Sequence, residues 1–161
     1  MGWKVFGREF LSGELANTNK FQSMKMKRNL ILRAVRTWVI LNNDPTFTNL
    51  NMKIYSNEVI SGANTPVKLL HTSTNVQAKE DILSLNSGCK EIWFEFDDIP
   101  LHSETIYNFV LNGTGYVFSS NSHIAWRCAW PDPVYQAGFT PDAVNLGESP
   151  YAIYCIGGEF S

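Results

Sequence analysis

Residues 92–118 alternate apolar and polar side chains with a period of two, and turn-forming residues interrupt the alternation twice. Successive side chains of a β-strand point to opposite faces, so this period predicts an antiparallel sheet with one buried face. The side chains predicted to face the core are Ile92, Phe94, Phe96, Tyr107, Phe109 and Leu111. The pattern constrains the fold class strongly, and taken alone it points to no catalytic group.

Five further segments have strand-like patterns, and very little of the chain favours a helix. These predicted strands are residues 30–41, 50–55, 67–72, 123–130 and 151–156. A helical face is conceivable in residues 30–41, but their β-branched and aromatic side chains favour a strand. Residues 78–85 are the predicted helix, residues 57–66 a polar loop, and residues 131–150 a long ordered loop or two short edge pieces.

A length of 161 residues, of which 44% are hydrophobic, indicates one globular domain with a sizeable core. We therefore predict an all-β fold over residues 30–161, an antiparallel two-sheet β-sandwich of the jelly-roll type. Residues 1–29 lack a regular period and are predicted to form an extended N-terminal arm.

Positive charge is concentrated near the N-terminus. Residues 1–40 contain eight basic and two acidic residues, whereas the remainder contains five basic and thirteen acidic residues. This asymmetry suggests that the basic segment docks on an acidic partner surface; the alternative is an ordinary solvated strand edge. Nucleic acid is not favoured as a partner, because the basic residues form no dense run. The docking candidates are Trp3, Phe6, Phe10, Lys20, Lys25, Lys27 and Arg28.

Aromatic residues crowd the last third of the chain and are the best candidates for a binding surface. The candidates for contact with a glycan or a partner are His123, Trp126, Arg127, Trp130, Tyr135 and Phe139. Aromatic side chains supply a large contact area at small entropy cost, and their flat faces stack on sugar rings. Trp126 and Trp130 share the parity of Ile124, which favours core packing as the alternative. Core, protein interface and glycan platform therefore stay open here.

The sequence contains no recognisable pattern of a catalytic or metal site. The G-x-S-x-G and HExxH motifs are absent, and His71, His102 and His123 are isolated from one another. We predict no enzyme activity, no catalytic residue, no cofactor and no metal; a hydrolase that assembles its carboxylates in space is the weaker alternative. Asp97 and Asp98 are interpreted as a turn, with a structural calcium site as the alternative.

Three widely spaced cysteines, Cys89, Cys128 and Cys155, form no CxxC pair and have no companion histidines. Cys128 and Cys155 fall in strand-like segments, and we interpret them as buried free thiols of a protein made in a reducing compartment. No signal peptide is recognisable, and no apolar run approaches the roughly 18 to 20 residues that a transmembrane helix needs. No membrane partner is therefore predicted.

One ordered set of segments suggests a family. It comprises the alternating strand LNMKIY, the segment KLLHTSTN, the strand EIWFEF, the turn IPL, the strand ETIYNFVLNGT and the tetrapeptide HIAW. In this order they resemble the jelly-roll modules of bacteriophage virion proteins and of some bacterial surface proteins, over residues 30–160.

This resemblance implies a non-enzymatic structural component of a phage virion, either a capsid decoration protein or a tail-associated protein. It implies contacts with other virion proteins, a homo-oligomer, and assembly into the virion in the host cytoplasm. The alternative that it implies is a carbohydrate-binding module that contacts host-surface glycans.

Overall fold

The structure is a computed structural model that describes residues 3–5, 21–85, 88–117, 119, 121–127, 143–146 and 153–159. Its strands are β1 (Trp3–Val5), β2 (Phe21–Met26), β3 (Leu30–Asn42), β4 (Asn49–Ile60), β5 (Ala63–Thr72), β6 (Gln77–Ala78), β7 (Lys90–Leu101), β8 (Ile106–Thr114), β9 (His123–Arg127), β10 (Ala143–Asn145) and β11 (Ile153–Glu159). One short helix, α1 (Lys79–Leu83), lies within the predicted helical segment.

The strands form two sheets. The first sheet has the order β1-β9-β3-β11, and β7 also pairs with β3. The second sheet has the order β10-β2-β8-β4-β5, and the short β6 pairs with the start of β4. Every pair among the described strands is antiparallel. The predicted all-β class and two-sheet arrangement are therefore confirmed.

β3 is the central strand of the first sheet, because both of its edges are used. β7 pairs with one edge from Leu30 to Val39. The other edge pairs first with β11, from Leu30 to Thr37, and then with β9, from Val39 to Asn42. The strand interpretation of residues 30–41 is confirmed over the helical one.

The core lies between the sheets and receives side chains from both. The largest fully buried side chains are Trp126, Phe94, Phe109, Met24, Met26, Leu30, Leu32, Leu50, Met52 and Ile54. In β7 the predicted alternation is confirmed, since Ile92, Phe94 and Phe96 are buried while Trp93 and Glu95 are exposed. Burial of one such apolar side chain stabilises the fold by about 1.5–3 kcal/mol, so this interior dominates stability.

β2 belongs to the second sheet, which moves it out of the predicted arm and into the sandwich. It lies between β8 and β10, and Met24 and Met26 are fully buried in the core. β1 likewise pairs with β9. Within residues 1–29, the described parts are therefore two strands of the sheets and the connection at residues 27–29, and residues 1–2 and 6–20 lie outside the described residues.

The predicted loop at residues 57–66 is wrong, because this segment is a β-hairpin. β4 and β5 pair up to Ile60 and Ala63, which leaves only Ser61 and Gly62 as the turn. Both turn residues have positive φ, 50° and 77°. Positive φ at both positions defines the type I′ turn, whose twist matches that of the flanking strands. The polar residues of the segment, together with Gly62 and Pro66, concealed this hairpin.

Asp97 and Asp98 form a β-bulge and not a turn, because β7 continues through them to Leu101. Between the pairs Leu32–Ile99 and Ala34–Glu95, β7 has three intervening residues and β3 has one. Asp98 adopts φ 47°, in the left-handed region that such a bulge requires. No cluster of three or more metal-binding side chains occurs among the described residues, so the calcium alternative gains no support.

Residues 73–77, called the edge strap here, cover the outer edge of β7. The backbone carbonyl oxygen of Glu95 accepts a hydrogen bond of 2.8 Å from Thr74 N, and Glu95 N donates one of 2.6 Å to Asn75 Oδ1. Asn75 Nδ2 and Gln77 Nε2 both donate to the carbonyl oxygen of Trp93, at 3.1 and 2.6 Å. Side-chain amides thus satisfy backbone groups that a neighbouring strand would otherwise pair, which protects this edge from association.

Candidate binding surfaces

Trp126 is a core residue. Its side chain is fully buried, and its indole N–H donates a hydrogen bond of 2.6 Å to Thr37 Oγ1, which is also buried. Its neighbours Ile124 and Ala125 are buried as well. Of the three interpretations left open for Trp126, core packing is the one that the structure supports, so its ring presents no face to a glycan or a partner.

The structure does not bring the rest of the predicted aromatic set together. His123 is partly exposed at the start of β9, and its Nδ1 lies 3.1 Å from the carbonyl oxygen of Ser119. The backbone of Arg127 pairs with Trp3. The side chain of Arg127 lies outside the described residues, as do Trp130, Tyr135 and Phe139.

The described docking candidates lie in β1, in β2 and in the connection between β2 and β3. Lys25 lies in β2 and forms an ion pair of 3.1 Å with Glu104. Lys27 and Arg28 are exposed in the connection between β2 and β3. Trp3 is described only by its backbone in β1, and the candidates Phe6, Phe10 and Lys20 lie outside the described residues.

Part of the sequence charge asymmetry is matched inside the molecule. Besides Lys25 with Glu104, two further cations of the basic segment face acidic residues of β7: Arg33 Nε lies 3.0 Å from Asp98 Oδ1, and Arg36 Nη1 lies 3.9 Å from Glu91 Oε1. Exposed pairs of this kind contribute at most about 1 kcal/mol each. Their importance here is that these cations already face partners within the chain.

An exposed apolar surface lies on the hairpin formed by β4 and β5. This hairpin patch consists of Val59, Ile60, Val67, Leu69 and Leu70, and Val59 is the most exposed of them at 67%. β8 pairs with β4 only as far as Tyr55, so the distal half of the hairpin extends past that pairing. Val59 and Ile60 are adjacent in β4 and therefore point to opposite faces, so the hairpin patch includes both faces of the hairpin. Exposed apolar side chains concentrated on one element mark surfaces that bind other molecules.

The hairpin patch adjoins a strand edge that no described strand covers. β5 is the last strand in the order of the second sheet. Its register partners among the described residues all belong to β4. Unlike the outer edge of β7, this edge has no amide-bearing strap in the described part of the chain. Pro66 and Lys68 are its two residues of the kind that discourages strand pairing.

A depression lies beside the hairpin and has a volume of about 500 Å³. It is lined by Ser56, Asn57, Leu70, Glu104, Thr105, Ile106 and Tyr107. Leu70 belongs to the hairpin patch as well, and the Glu104 carboxylate faces Lys25. The depression is therefore continuous with the apolar hairpin.

A second exposed surface, the indole cluster, lies on the outer face of the first sheet. Its members are Arg36, Trp38, Glu91 and Trp93. The Arg36 guanidinium carbon lies 5.1 Å from the centre of the Trp38 ring and 5.4 Å from that of Trp93, within cation–π range. Cross-strand register explains the contact, because Arg36 pairs with Trp93 and Trp38 pairs with Glu91.

Glu91 links both rings of the cluster. Its Oε2 accepts a hydrogen bond of 3.2 Å from Trp38 Nε1, and its Oε1 accepts one of 3.0 Å from Trp93 Nε1. Trp38 is nearly buried, whereas Trp93 is 39% exposed. This cluster was not predicted from the sequence. Its signal was Trp93, an aromatic residue at an outward-facing position of β7 where the alternation otherwise places polar residues.

In four titratable groups of the described residues, burial shifts the pKa in the direction that favours the neutral form. Burial raises the pKa of the Tyr55 hydroxyl and of the Cys155 thiol, and it lowers the pKa of the His71 imidazole. Burial also raises the pKa of Tyr116, although the hydrogen bond from Ile124 N to its oxygen opposes the shift. In each of these four groups the favoured form is the uncharged one, which suits a packed side chain.

Comparison with known protein families, curated proteins and solved structures finds no match to this chain. In the described residues, no helix is long and apolar enough to cross a membrane.

Proposed function

We propose that this protein is a non-enzymatic assembly protein that acts through protein–protein contacts, as a structural component of a phage virion. The observation that carries the proposal is the hairpin patch beside the edge of β5 that no strand of the described residues covers. The proposal includes a jelly-roll connection of the sandwich, a position on the capsid or the tail, and assembly in the host cytoplasm. The resemblance of residues 30–160 to phage jelly-roll modules supports these finer points.

Contact with water disfavours the exposed apolar side chains of the hairpin patch. Each Å² of apolar surface removed from water stabilises an interface by roughly 25 cal/mol, so exposed Val59 and Leu69 favour association. Both residues lie on a hairpin at a sheet edge. The backbone groups of an edge strand can hydrogen-bond to a strand of another chain, which fixes the geometry of the association. Apolar contacts and backbone pairing on one element favour strand addition over diffuse adhesion.

The partners that fit this element are other virion proteins, including copies of this chain. A strand added to β5 extends the second sheet and buries Val67 and Leu69 against the side chains of the incoming strand. The depression lined by Leu70 and Ile106 gives the same contact a recess beside the sheet. Leu70 belongs to both features, whereas no residue of the indole cluster belongs to either of them.

The experiment compares incorporation into particles. The double variant V67K/L69K places charge on the hairpin patch, and V117K is the matched control because Val117 is 55% exposed and lies outside the hairpin. We expect mass spectrometry of purified particles to find the control at the wild-type copy number and the double variant reduced at least about tenfold. Wild-type incorporation of a folded double variant would refute the assembly role of this surface.

A further inference from the structure

Trp93 has the fixed orientation that a stacking platform needs. Its indole nitrogen is held by Glu91 Oε1 at 3.0 Å, and the Arg36 guanidinium lies over its ring at 5.4 Å. Its backbone carbonyl is held by Asn75 and Gln77 of the edge strap. With backbone and ring both restrained, little conformational entropy is left to lose when a ligand stacks on the exposed part of the indole.

The neighbours of Trp93 suit a ligand that carries hydroxyl groups. Glu91 and Glu95 follow the same outward parity along β7, on either side of Trp93, and Glu95 is exposed. A carboxylate has about four acceptor positions, so each can accept hydrogen bonds from hydroxyls beyond those it already receives. Ala34 pairs with Glu95 and has a small side chain, so it does not obstruct the surface beside Arg36 and Trp93.

The same surroundings disfavour two other ligand classes. Two carboxylates repel phosphate and acidic sugars, and the nearby cation Arg36 already faces Glu91. A protein hot spot at a tryptophan is enclosed by contacts that exclude water. Here the outward neighbours along the strand are charged, so a dry enclosure would require burying Glu91 and Glu95.

We infer that the indole cluster binds neutral glycans, with the apolar face of a sugar ring on Trp93 and its hydroxyls donating to Glu91 and Glu95. An aromatic ring of this kind offers a broad apolar face beside polar groups, which matches the two-sided chemistry of a sugar ring. This inference goes beyond the assembly role, because no residue of the hairpin patch takes part.

The test is affinity electrophoresis of the full chain in native gels that contain neutral polysaccharides: a β-glucan, a galactan and a mannan. We expect at least one of them to retard the wild-type protein. W93A is expected to weaken that binding about tenfold or more, W93F to retain part of it, and the control V117A to match wild type. Thermal unfolding of each variant shows whether it is folded.

Three results would overturn the inference. They are no retardation by any neutral polysaccharide, equal retardation of wild type and folded W93A, or retardation only by an acidic polysaccharide such as polygalacturonate. If the wild-type protein migrates normally in every gel and W93A is lost from particles, Trp93 belongs instead to a protein interface. Failure of V67K/L69K to behave as expected leaves this inference unaffected, because that variant tests the other surface.

Discussion

The indole N–H of Trp126 donates a hydrogen bond of 2.6 Å to Thr37 Oγ1 in the interior of the sandwich. Trp126 pairs with Val39 in the register of β9 and β3, so Thr37 is its diagonal neighbour, two residues away on the same face. Both side chains are fully buried. The threonine hydroxyl thereby supplies an acceptor for the polar edge of the largest core residue, without which that edge would be costly to bury.

Replacement of this acceptor is expected to destabilise the protein. Thr37→Val keeps the side-chain shape and removes the oxygen, so we expect the free energy of unfolding to fall by about 1–3 kcal/mol. Thr37→Ser keeps the oxygen and is the control, with a smaller loss from the missing methyl group. Urea denaturation measures both. A valine variant as stable as the serine variant would contradict the role assigned to the hydrogen bond.

The edge strap gives a second prediction. Asn75→Ala removes an acceptor from Glu95 N and a donor to the carbonyl oxygen of Trp93. We expect a loss of about 1–2 kcal/mol and concentration-dependent association, because the edge of β7 becomes available for pairing. Analytical ultracentrifugation checks the association, and Ser84→Ala is the control, because it removes one exposed hydrogen bond outside both the edge strap and the hairpin. A monomeric N75A under conditions where wild type is monomeric would show that the strap does not protect the edge.

Gly157 occupies the point of closest approach between β11 and β3. A Cβ atom at this position would overlap the backbone carbonyl oxygen of Ile31, next to the register shift after Ile156. Gly157→Ala is therefore expected to cost several kcal/mol or to prevent folding, because backbone atoms must move. Gly88→Ala is the matched control, since a Cβ there meets no atom within 4 Å. Comparison of the two melting temperatures checks the prediction, and equal values would contradict it.

The two described cysteines should differ in reactivity. Cys155 is buried, its Sγ lies 3.9 Å from Met24 Sδ, and burial raises its pKa. Cys89 is partly exposed. At pH 8 we expect iodoacetamide to label Cys89 in the native protein and to label Cys155 only as the protein unfolds, because the thiolate is the reactive form. Peptide mass spectrometry follows each site, and equal rates in the native state would count against the buried position of Cys155.

His71 predicts part of the pH dependence of stability. Burial lowers its pKa below the ordinary histidine value of 6.5, so the unfolded chain binds a proton at a higher pH than the folded chain does. Protonation of His71 therefore does not affect the free energy of unfolding well above the ordinary pKa of histidine. It destabilises the fold increasingly as the pH falls below that pKa. In His71→Gln, the decrease in melting temperature between pH 8 and pH 5 should therefore be smaller than in wild type. An equal or steeper decrease would contradict the prediction.

Local patterns predicted the fold class well, because side-chain parity follows directly from strand geometry. The alternation of Ile92, Phe94 and Phe96 identified the buried face of β7, and that of Leu50 and Met52 identified the buried face of β4. Residue composition was a poorer guide to secondary structure in segments where polar residues form strands. The type I′ turn at Ser61 and Gly62 depends on two positive φ values, and the segment around it was predicted to be a loop.

The candidate surfaces could be predicted only in part. Trp126 and Trp93 both lie in alternating segments, and periodicity separates the two faces of a strand without showing which face the opposite sheet covers. For Trp126, the parity that it shares with Ile124 favoured the buried face. For Trp93 the contact with Arg36 depends on the register of β3 and β7, which pair residues 57 positions apart in the chain.

The sequence by itself determined that the chain forms antiparallel strands and which residues alternate along them, because these properties depend on neighbours in the chain. Only the tertiary structure decided which aromatic rings are buried, which strand edge is covered, and that Arg36, Glu91 and Trp93 meet. These outcomes depend on register and sheet packing between distant segments, where a shift of one residue moves every side chain to the other face.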